Sequence, residues 1–392
     1  MMAFDDALEA VLAMARPLGA EHVDLAQAEG RVLARPLVAR SASPATDVSA
    51  MDGYAALDAD LQVPGAALTL AGEARPGSTP SDALAPGLCL RVFTGAPAPL
   101  GANRIVLQEE VRREGDVVIF PAACPQRSHV RKAGSDFVAG DVLLEAGAVL
   151  DAPRMVALAA ADLAEVEVYR RPRIRLIATG DEIRAPGSGG GGIPDSLSFG
   201  VAALVRQWGG EVVGRARHVD DLGDLERAAA EALADADIVV VSGGASVGDH
   251  DLARAMFAAH GLELVVDKVA IKPGKPVWFG RCQGKLIAGL PGNPTSAMVT
   301  ARLLLAPLVA TAAGRGGASA SRWDWERLAA DLPSCGERET YVRVARAEGG
   351  VAPLANQDSA SQAMLGRSDG LVRRRPGEPV LRAGEFVRML AF

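Results

Sequence analysis

The chain has 392 residues, of which 49% are apolar, 23% charged and 4% aromatic, with a formal charge of −7 at neutral pH. Chains of this length exceed what one hydrophobic core organises, so two to four domains are expected, with cores built from Ala, Val and Leu. The acidic balance, without a dense Lys/Arg run interleaved with aromatics, excludes nucleic acid as a principal partner, and no apolar run reaches the ~18 residues of a membrane span.

The opening MMAFDDALEAVLAMA is acidic and amphipathic, unlike a basic leader followed by an apolar stretch, so a soluble cytoplasmic protein is expected. Phe4, Leu8, Val11, Leu12 and Ala15 fall at helical spacing and predict a helix over 4–16. From about 21 to 140, short β-prone runs (LTLAG, LCLRVFTG, RIVLQEEV, DVVIF) separated by Pro and Gly predict a β-rich module. Residues 141–171 read as a turn and a helix with Pro153 in its first turn; this segment is expected to return onto the N-terminal helix, giving a discontinuous helical linker domain of 1–20 and 141–171.

From 172 the alternation becomes regular. Strands are predicted at 174–179, 211–219, 237–243, 263–271 and 286–290, with a short one at PVWFG, and helices at 196–208, 222–235, 250–260 and 294–311. This implies a central three-layer α/β/α domain over 172–313 with a mostly parallel sheet. A GRGGASAS linker then leads into a small, barrel-like β domain over 314–392. The basic clusters at 170–175 and 373–375 are expected to be solvated surface. Cys89, Cys124, Cys282 and Cys335 are scattered, with no CxxC and no nearby His pair, which indicates neither a zinc site nor a disulfide framework.

Several strand ends carry residues suited to anions. ATGDE (178–182) offers Thr179 and Gly180 beside Asp181 and Glu182; SGGASVGDHD (242–251) offers Ser242, Gly243 and Gly244, then Asp249 and Asp251. In an open α/β sheet, ligands settle outside the carboxyl ends of the strands, where small residues let amides approach an oxyanion and carboxylates can hold a divalent cation. KVAIKPGKP brings Lys268, Lys272 and Lys275 around a Pro–Gly turn, and GLPGNPTSA is a further strand, turn and helix start, with Asn293 as its expected cap. In the β module, Asp52, Thr94 and Asp136 each lie beside a glycine turn. Taken singly, each motif has a purely structural reading as a turn or a solvated face; no Ser-His-Asp or Cys-His arrangement suggests a covalent nucleophile. The GSGGGG run at 187–192 is a loop and not a dinucleotide fingerprint, because it does not join a strand directly to a helix.

Together SAMDGYA, FTGAPAPLGA, RKAGSDFVAGDVLLEAG, RPRIRLIATGDEI, IPDS, DIVVVSGGASVGDHD, KVAIKPGKP and GLPGNPTSA resemble, in order, the molybdopterin molybdenumtransferase family, which includes MoeA and the E domain of gephyrin. The resemblance implies insertion of molybdate into adenylylated molybdopterin with magnesium-dependent release of AMP, in a homodimer whose active site lies between subunits. It implies catalytic roles for Asp52, Thr94, Asp136, Glu182, Asp251, Lys268 and Lys272, and magnesium ligation by Glu182, Asp249 and Asp251. Binding roles are implied for Thr179, Gly180, Asp195, Ser196, Ser242, Gly243, Gly244, Ser246, Gly248, Lys275, Pro291, Gly292 and Asn293. The chain departs from the family pattern at Leu197, where Asn is usual, at Asn103, where Asp is usual, and in the tail sequence NQDSAS. Two other readings keep the ligand and change what is done with it, giving either a molybdopterin adenylyltransferase or a non-catalytic pterin-binding scaffold.

Overall fold

The computed structural model describes residues 1–79, 82–124, 126–243 and 252–392. It divides into two compact units, one of Met1–Arg35, Ala146–Asp151 and Val166–Phe392, the other of Pro36–Glu145 and Ala152–Glu165.

In the larger unit a six-stranded sheet runs in the order Glu211–His218, Arg173–Thr179, Ile238–Ser242, Lys285–Leu290, Trp278–Cys282, Glu263–Val266. The first four strands are parallel, and Trp278–Cys282 runs antiparallel to both of its neighbours, Lys285–Leu290 and Glu263–Val266. Ile238 to Val241 are all buried, the continuous apolar run of a strand covered on both faces. Ile238 and Val240 pack with Val201, Leu204 and Leu308 of the helices on one face, while Val239 and Val241 pack with Leu225, Leu233 and Phe257 on the other. Period-2 alternation thus sends successive valines to opposite layers.

The core helix Pro294–Ala312 is 19 residues long and apolar enough to cross a bilayer by length and composition, although no such run was expected; it is 89% buried among its own layers. Its middle turn, Ala301–Leu305, is a π-turn immediately before Pro307. A proline within a helix removes a donor and crowds the carbonyl four residues earlier, and local widening relieves both.

The N-terminal helix Phe4–Met14 buries Phe4, Ala7, Val11 and Met14 in this same core. The helix Ala152–Ala160 is grouped with the smaller unit, whereas 146–151 and 166–171 are grouped with 1–20 in the larger one, where strand Ala20–Asp24 pairs with Glu165–Tyr169. The expected strand 263–271 divides. Glu263–Val266 ends the α/β sheet, and Ile271–Lys272 pairs in parallel with Glu339–Ala347 of the C-terminal domain. Between them the Lys268 carbonyl accepts from the Met2 amide at 2.9 Å, and the Ala270 amide donates to the Met2 carbonyl at 2.9 Å.

The C-terminal domain is a mixed sheet ordered Ile271–Lys272, Glu339–Ala347, Gly370–Arg374, Phe386–Ala391, Asp324–Arg327, with Gly350–Pro353 folded back on the second strand. Within the cluster at 373–375, Arg375 is exposed as expected, but Arg373 and Arg374 are not the solvated surface their charge suggests. Arg374 is 1% exposed and donates to Glu378 and to the Pro333 carbonyl at 2.8 and 2.9 Å; Arg373 forks onto Asp5 at 2.8 Å on both arms. A guanidinium tolerates burial where its fixed donors meet several acceptors at once.

The smaller unit holds a six-stranded sheet ordered Arg104–Leu107, Gly53–Ala56, Leu88–Val92, Ala67–Ala74, Val117–Ile119, Arg112–Glu114. Tyr54, Ala56, Cys89 and Val106 lie in one core cluster, and Ala55, Leu90 and Ile105 in another, as alternation across a pleat requires.

Candidate functional site

Four parallel strands of the larger unit stop at one level. Ala178 pairs with Ser242, Ser242 with Leu290, and Thr179 with His218. The residues that follow these ends line a cleft of about 710 Å³. The first loop contributes Thr179, Gly180 and Glu182, the third strand Ser242 and Gly243, and the fourth Pro291, Gly292 and Asn293. Asp195 and Ser196, which precede the helix Leu197–Gln207, complete the wall. All ten are predicted site residues.

The ends fit tightly because Gly243 lies against main chain. Its φ is +94°, and a Cβ there would stand 2.2 Å from the Thr179 carbonyl oxygen. Thr179 is 2% exposed, and its Oγ1 has no partner among the described residues, leaving a buried hydroxyl at the cleft wall. Burying such a group unpaired is costly unless something else supplies the bond, as a ligand would. At Gly180, φ is +142°, and a Cβ would meet the Glu182 carboxylate at 2.7 Å, so the glycine leaves room for that side chain to fold back over its own turn. The buried Asp195 accepts from the Ser198 amide at 3.1 Å and hydroxyl at 2.6 Å. Asn293 does not cap its helix by its side chain; its Nδ2 donates instead to Ser359 Oγ at 3.4 Å. Leu197 is 8% exposed, packs in the core and presents an apolar strip to the cleft beside Ile193 and Pro194.

Sequence reasoning missed Asp220. It lines the same cleft, and its amide donates to Asp181 at 3.0 Å. Its carboxyl is pushed above the usual range, first by burial and then by the charges of Asp181 and Glu182. The signal was present: Asp220 follows the strand Glu211–His218, the same position beyond a strand end that the other loops occupy. Crowded carboxylates of this kind fit a divalent cation, which would offset their repulsion. Among the described residues, however, no group of three His, Cys, Asp or Glu is arranged to hold a metal alone.

Asp220→Asn removes one charge from the crowd. Because the folded-state carboxyl titrates higher than the unfolded one, the wild-type group favours folding only while protonated, and that contribution is lost as pH rises through the folded value. The variant is therefore expected to melt higher than wild type at pH 7 to 8, with the difference vanishing below the unfolded carboxylate range near ~3.9. Melting curves across that window check it; a gain that persists at low pH contradicts the charge account.

A second cleft of about 690 Å³ adjoins the first, sharing Pro276 and Ser296. It is lined by the predicted Lys272 and Lys275 together with Arg338, Gln357 and Ser359. The last three lie in the C-terminal domain; none was a predicted site residue, although Gln357 and Ser359 belong to the NQDSAS stretch noted as a departure from the family pattern. Lys268 lines neither cleft.

In the smaller unit Asp52 and Thr94 come together: the Asp52 carboxylate accepts from the Thr94 amide at 2.7 Å and hydroxyl at 2.8 Å, which hold its carboxyl below the usual range. Asp136 is exposed on its loop, with its amide bonded to the Ser43 carbonyl at 3.0 Å. Gly244, Ser246, Gly248, Asp249 and Asp251 lie outside the described residues.

Comparison with known proteins covers nearly all of the chain. Residues 2–161 match the MoeA N-terminal region (domains I and II), residues 175–311 the probable molybdopterin binding domain, and residues 326–392 the MoeA C-terminal region (domain IV). The chain is 35% identical to the molybdopterin molybdenumtransferase of Nostoc sp. over 82% of its length and 76% of that protein. It is 35% identical to that of Haemophilus influenzae over 76% of its length and 74% of that protein. The molybdopterin biosynthesis MoeA protein from Pyrococcus horikosii has a similar structure, with a TM-score of 0.86 at 28% identity, covering 100% of this chain and 99% of that one.

Proposed function

The chain belongs to the molybdopterin molybdenumtransferase (MoeA) family, and from that premise we propose that it inserts molybdate into adenylylated molybdopterin with magnesium-dependent release of AMP, the last step of molybdenum cofactor synthesis. One observation carries this reading: a cleft lined by strand-end loops, carboxylates and a buried hydroxyl without a partner among the described residues adjoins, at the shared Pro276 and Ser296, a cleft lined by Lys272, Lys275 and Arg338.

The chemistry demands such a pairing. A molybdate dianion must approach a dithiolene whose substrate also carries a diphosphate, and each pair of like unit charges ~4 Å apart repels by about 4 kcal/mol at an effective dielectric near 20. Oriented amides and fixed cations offset that repulsion without reorganising as charge moves. The adenylylated pterin is assigned to the first cleft, with Thr179, Gly180, Asp195, Ser196, Ser242, Gly243 and the 291–293 turn as its binding groups. Molybdate is assigned to the second, with Lys272 and Lys275 as its countercharge.

Glu182 and Asp220 would hold magnesium, together with Asp249 and Asp251 of the neighbouring motif. When bound, the cation would neutralise diphosphate oxygens as AMP leaves. We further propose a cytoplasmic homodimer in which Asp52, Thr94 and Asp136 of one subunit complete the site of the other, and the four-part layout of linker, β module, α/β domain and C-terminal domain.

Purified protein given adenylylated molybdopterin, magnesium and molybdate is expected to release AMP in proportion to the molybdenum cofactor formed. If AMP instead forms only when ATP and free molybdopterin are supplied, the chain is an adenylyltransferase; if pterin binds and neither reaction runs, it is a scaffold.

A further inference from the structure

We propose that Arg343, which lines neither cleft, is a positioning residue for the anion: it shapes the loop 356–359 so that the main-chain amides of Gln357 and Ser359 face the lysine cleft. The inference rests on reading that cleft as the molybdate end of the site.

Arg343 is 1% exposed, and among the described residues no carboxylate hydrogen-bonds to it. Its Nη2 donates to the carbonyls of Asn356 at 3.3 Å and Asp358 at 3.1 Å. A trans peptide sets the N–H of the next residue opposite to the carbonyl. The amides of Gln357 and Ser359 are therefore turned away from the guanidinium, and both residues line the lysine cleft. The loop amides alternate accordingly. Those of Asp358 and Ala360 are taken up at 2.8 Å by Asn356 Oδ1 and at 2.7 Å by Asp358 Oδ1, whereas those of Gln357 and Ser359 donate to no group among the described residues. Successive outward amides of this kind make a concavity for an oxyanion.

Gln357 closes the clamp from the other side. Its Oε1 accepts from the Arg343 amide at 3.0 Å, and its Nε2 donates to the carbonyls of Arg343 and Leu354, each at 2.9 Å. Arg343 Nη1 is buried without a partner among the described residues. The buried guanidinium thus spends its donors on the loop, holding it by two carbonyls and the Gln357 side chain, with the Asp358 carboxylate as the nearby opposite charge. Lysine could supply the charge but not the planar edge on which Nε donates to Gln357 Oε1 at 3.4 Å while Nη2 donates to both carbonyls.

The test is Arg343→Lys, read by calorimetric binding of molybdate alone and by steady-state AMP release. The Kd and KM for molybdate are expected to rise about tenfold, with kcat at saturating molybdate and the affinity for AMP within about twofold of wild type. In Arg343→Ala, added guanidinium should restore the molybdate KM, while ammonium at equal ionic strength should not. A folded R343K variant with wild-type molybdate affinity, or one that loses AMP affinity to the same degree, overturns the proposal. If R343K does not fold, Gln357→Ala loosens the same loop with Arg343 in place and must show the same selective loss of molybdate affinity. Lys275→Ala separates the two readings. If it leaves molybdate affinity untouched, the assignment of the cleft has failed; if it weakens affinity while R343K does not, only the positioning role has failed.

Discussion

Lys272→Ala is expected to lower molybdate-dependent AMP release by roughly two orders of magnitude, about 3 kcal/mol of lost stabilisation for a fixed charge facing the reacting anion. The fold should not register the change. Lys272 is exposed, and its pairing with Thr340 is made by main chain that alanine preserves. Surface substitutions of this kind usually stay within about 0.5 kcal/mol of wild type, which moves the melting point of a chain this size by no more than about 2 °C. The loss should also deepen at low molybdate, because the ammonium both recruits the dianion and screens it from the diphosphate. Glu182→Gln should depress the same turnover through magnesium, so its deficit should shrink as magnesium is raised while that of K272A does not. Full turnover in K272A with an unchanged melting curve would remove the second cleft from the mechanism.

Most of the first cleft was legible because its residues come in contiguous motifs at strand ends, where one rule of α/β sheets assigns them a common level. ATGDE, IPDS, the start of SGGASVGDHD and GLPGN converge as that rule requires. Asp220 was missed only because its loop lacks glycines, so that nothing but its place after a strand marked it. The second cleft was less legible for a different reason. Arg338, Gln357 and Ser359 come from a β domain whose pairing with Ile271–Lys272 is a long-range parallel contact that no local periodicity reveals. The same contact explains why 263–271, continuous in hydropathy, divides between two sheets. Charge also misled at Arg373 and Arg374, because a run of arginines reads as solvated surface until the carboxylates and carbonyls that surround it are known. Leu197 carries a lesson in the other direction. Where relatives of this family are expected to place an amide, this chain places a side chain that joins the core and leaves an apolar strip at the cleft wall.

Gly243→Ala is expected to be severely damaging to the wall of the first cleft. The new Cβ would stand 2.2 Å from the Thr179 carbonyl oxygen, and because the obstacle is main chain, no side-chain rotation relieves it. The residue would also be held at a φ of +94°, a conformation that costs a non-glycine residue about 1–3 kcal/mol. Either the two strand ends separate or the loop flips; both displace Thr179 and Ser242 from the cleft and unlock the pairing of Ala178 with Ser242. A loss of about 2–4 kcal/mol in unfolding free energy is expected, with AMP binding abolished. Gly292→Ala is the control. Its Cβ meets nothing nearer than Gly243 Cα at 3.7 Å, an ordinary contact, so its stability should stay close to wild type although it sits on the same wall. Denaturant titration of the two variants side by side decides the matter: if G243A proves as stable as G292A, the strand ends are not packed against one another and the cleft is not built as described.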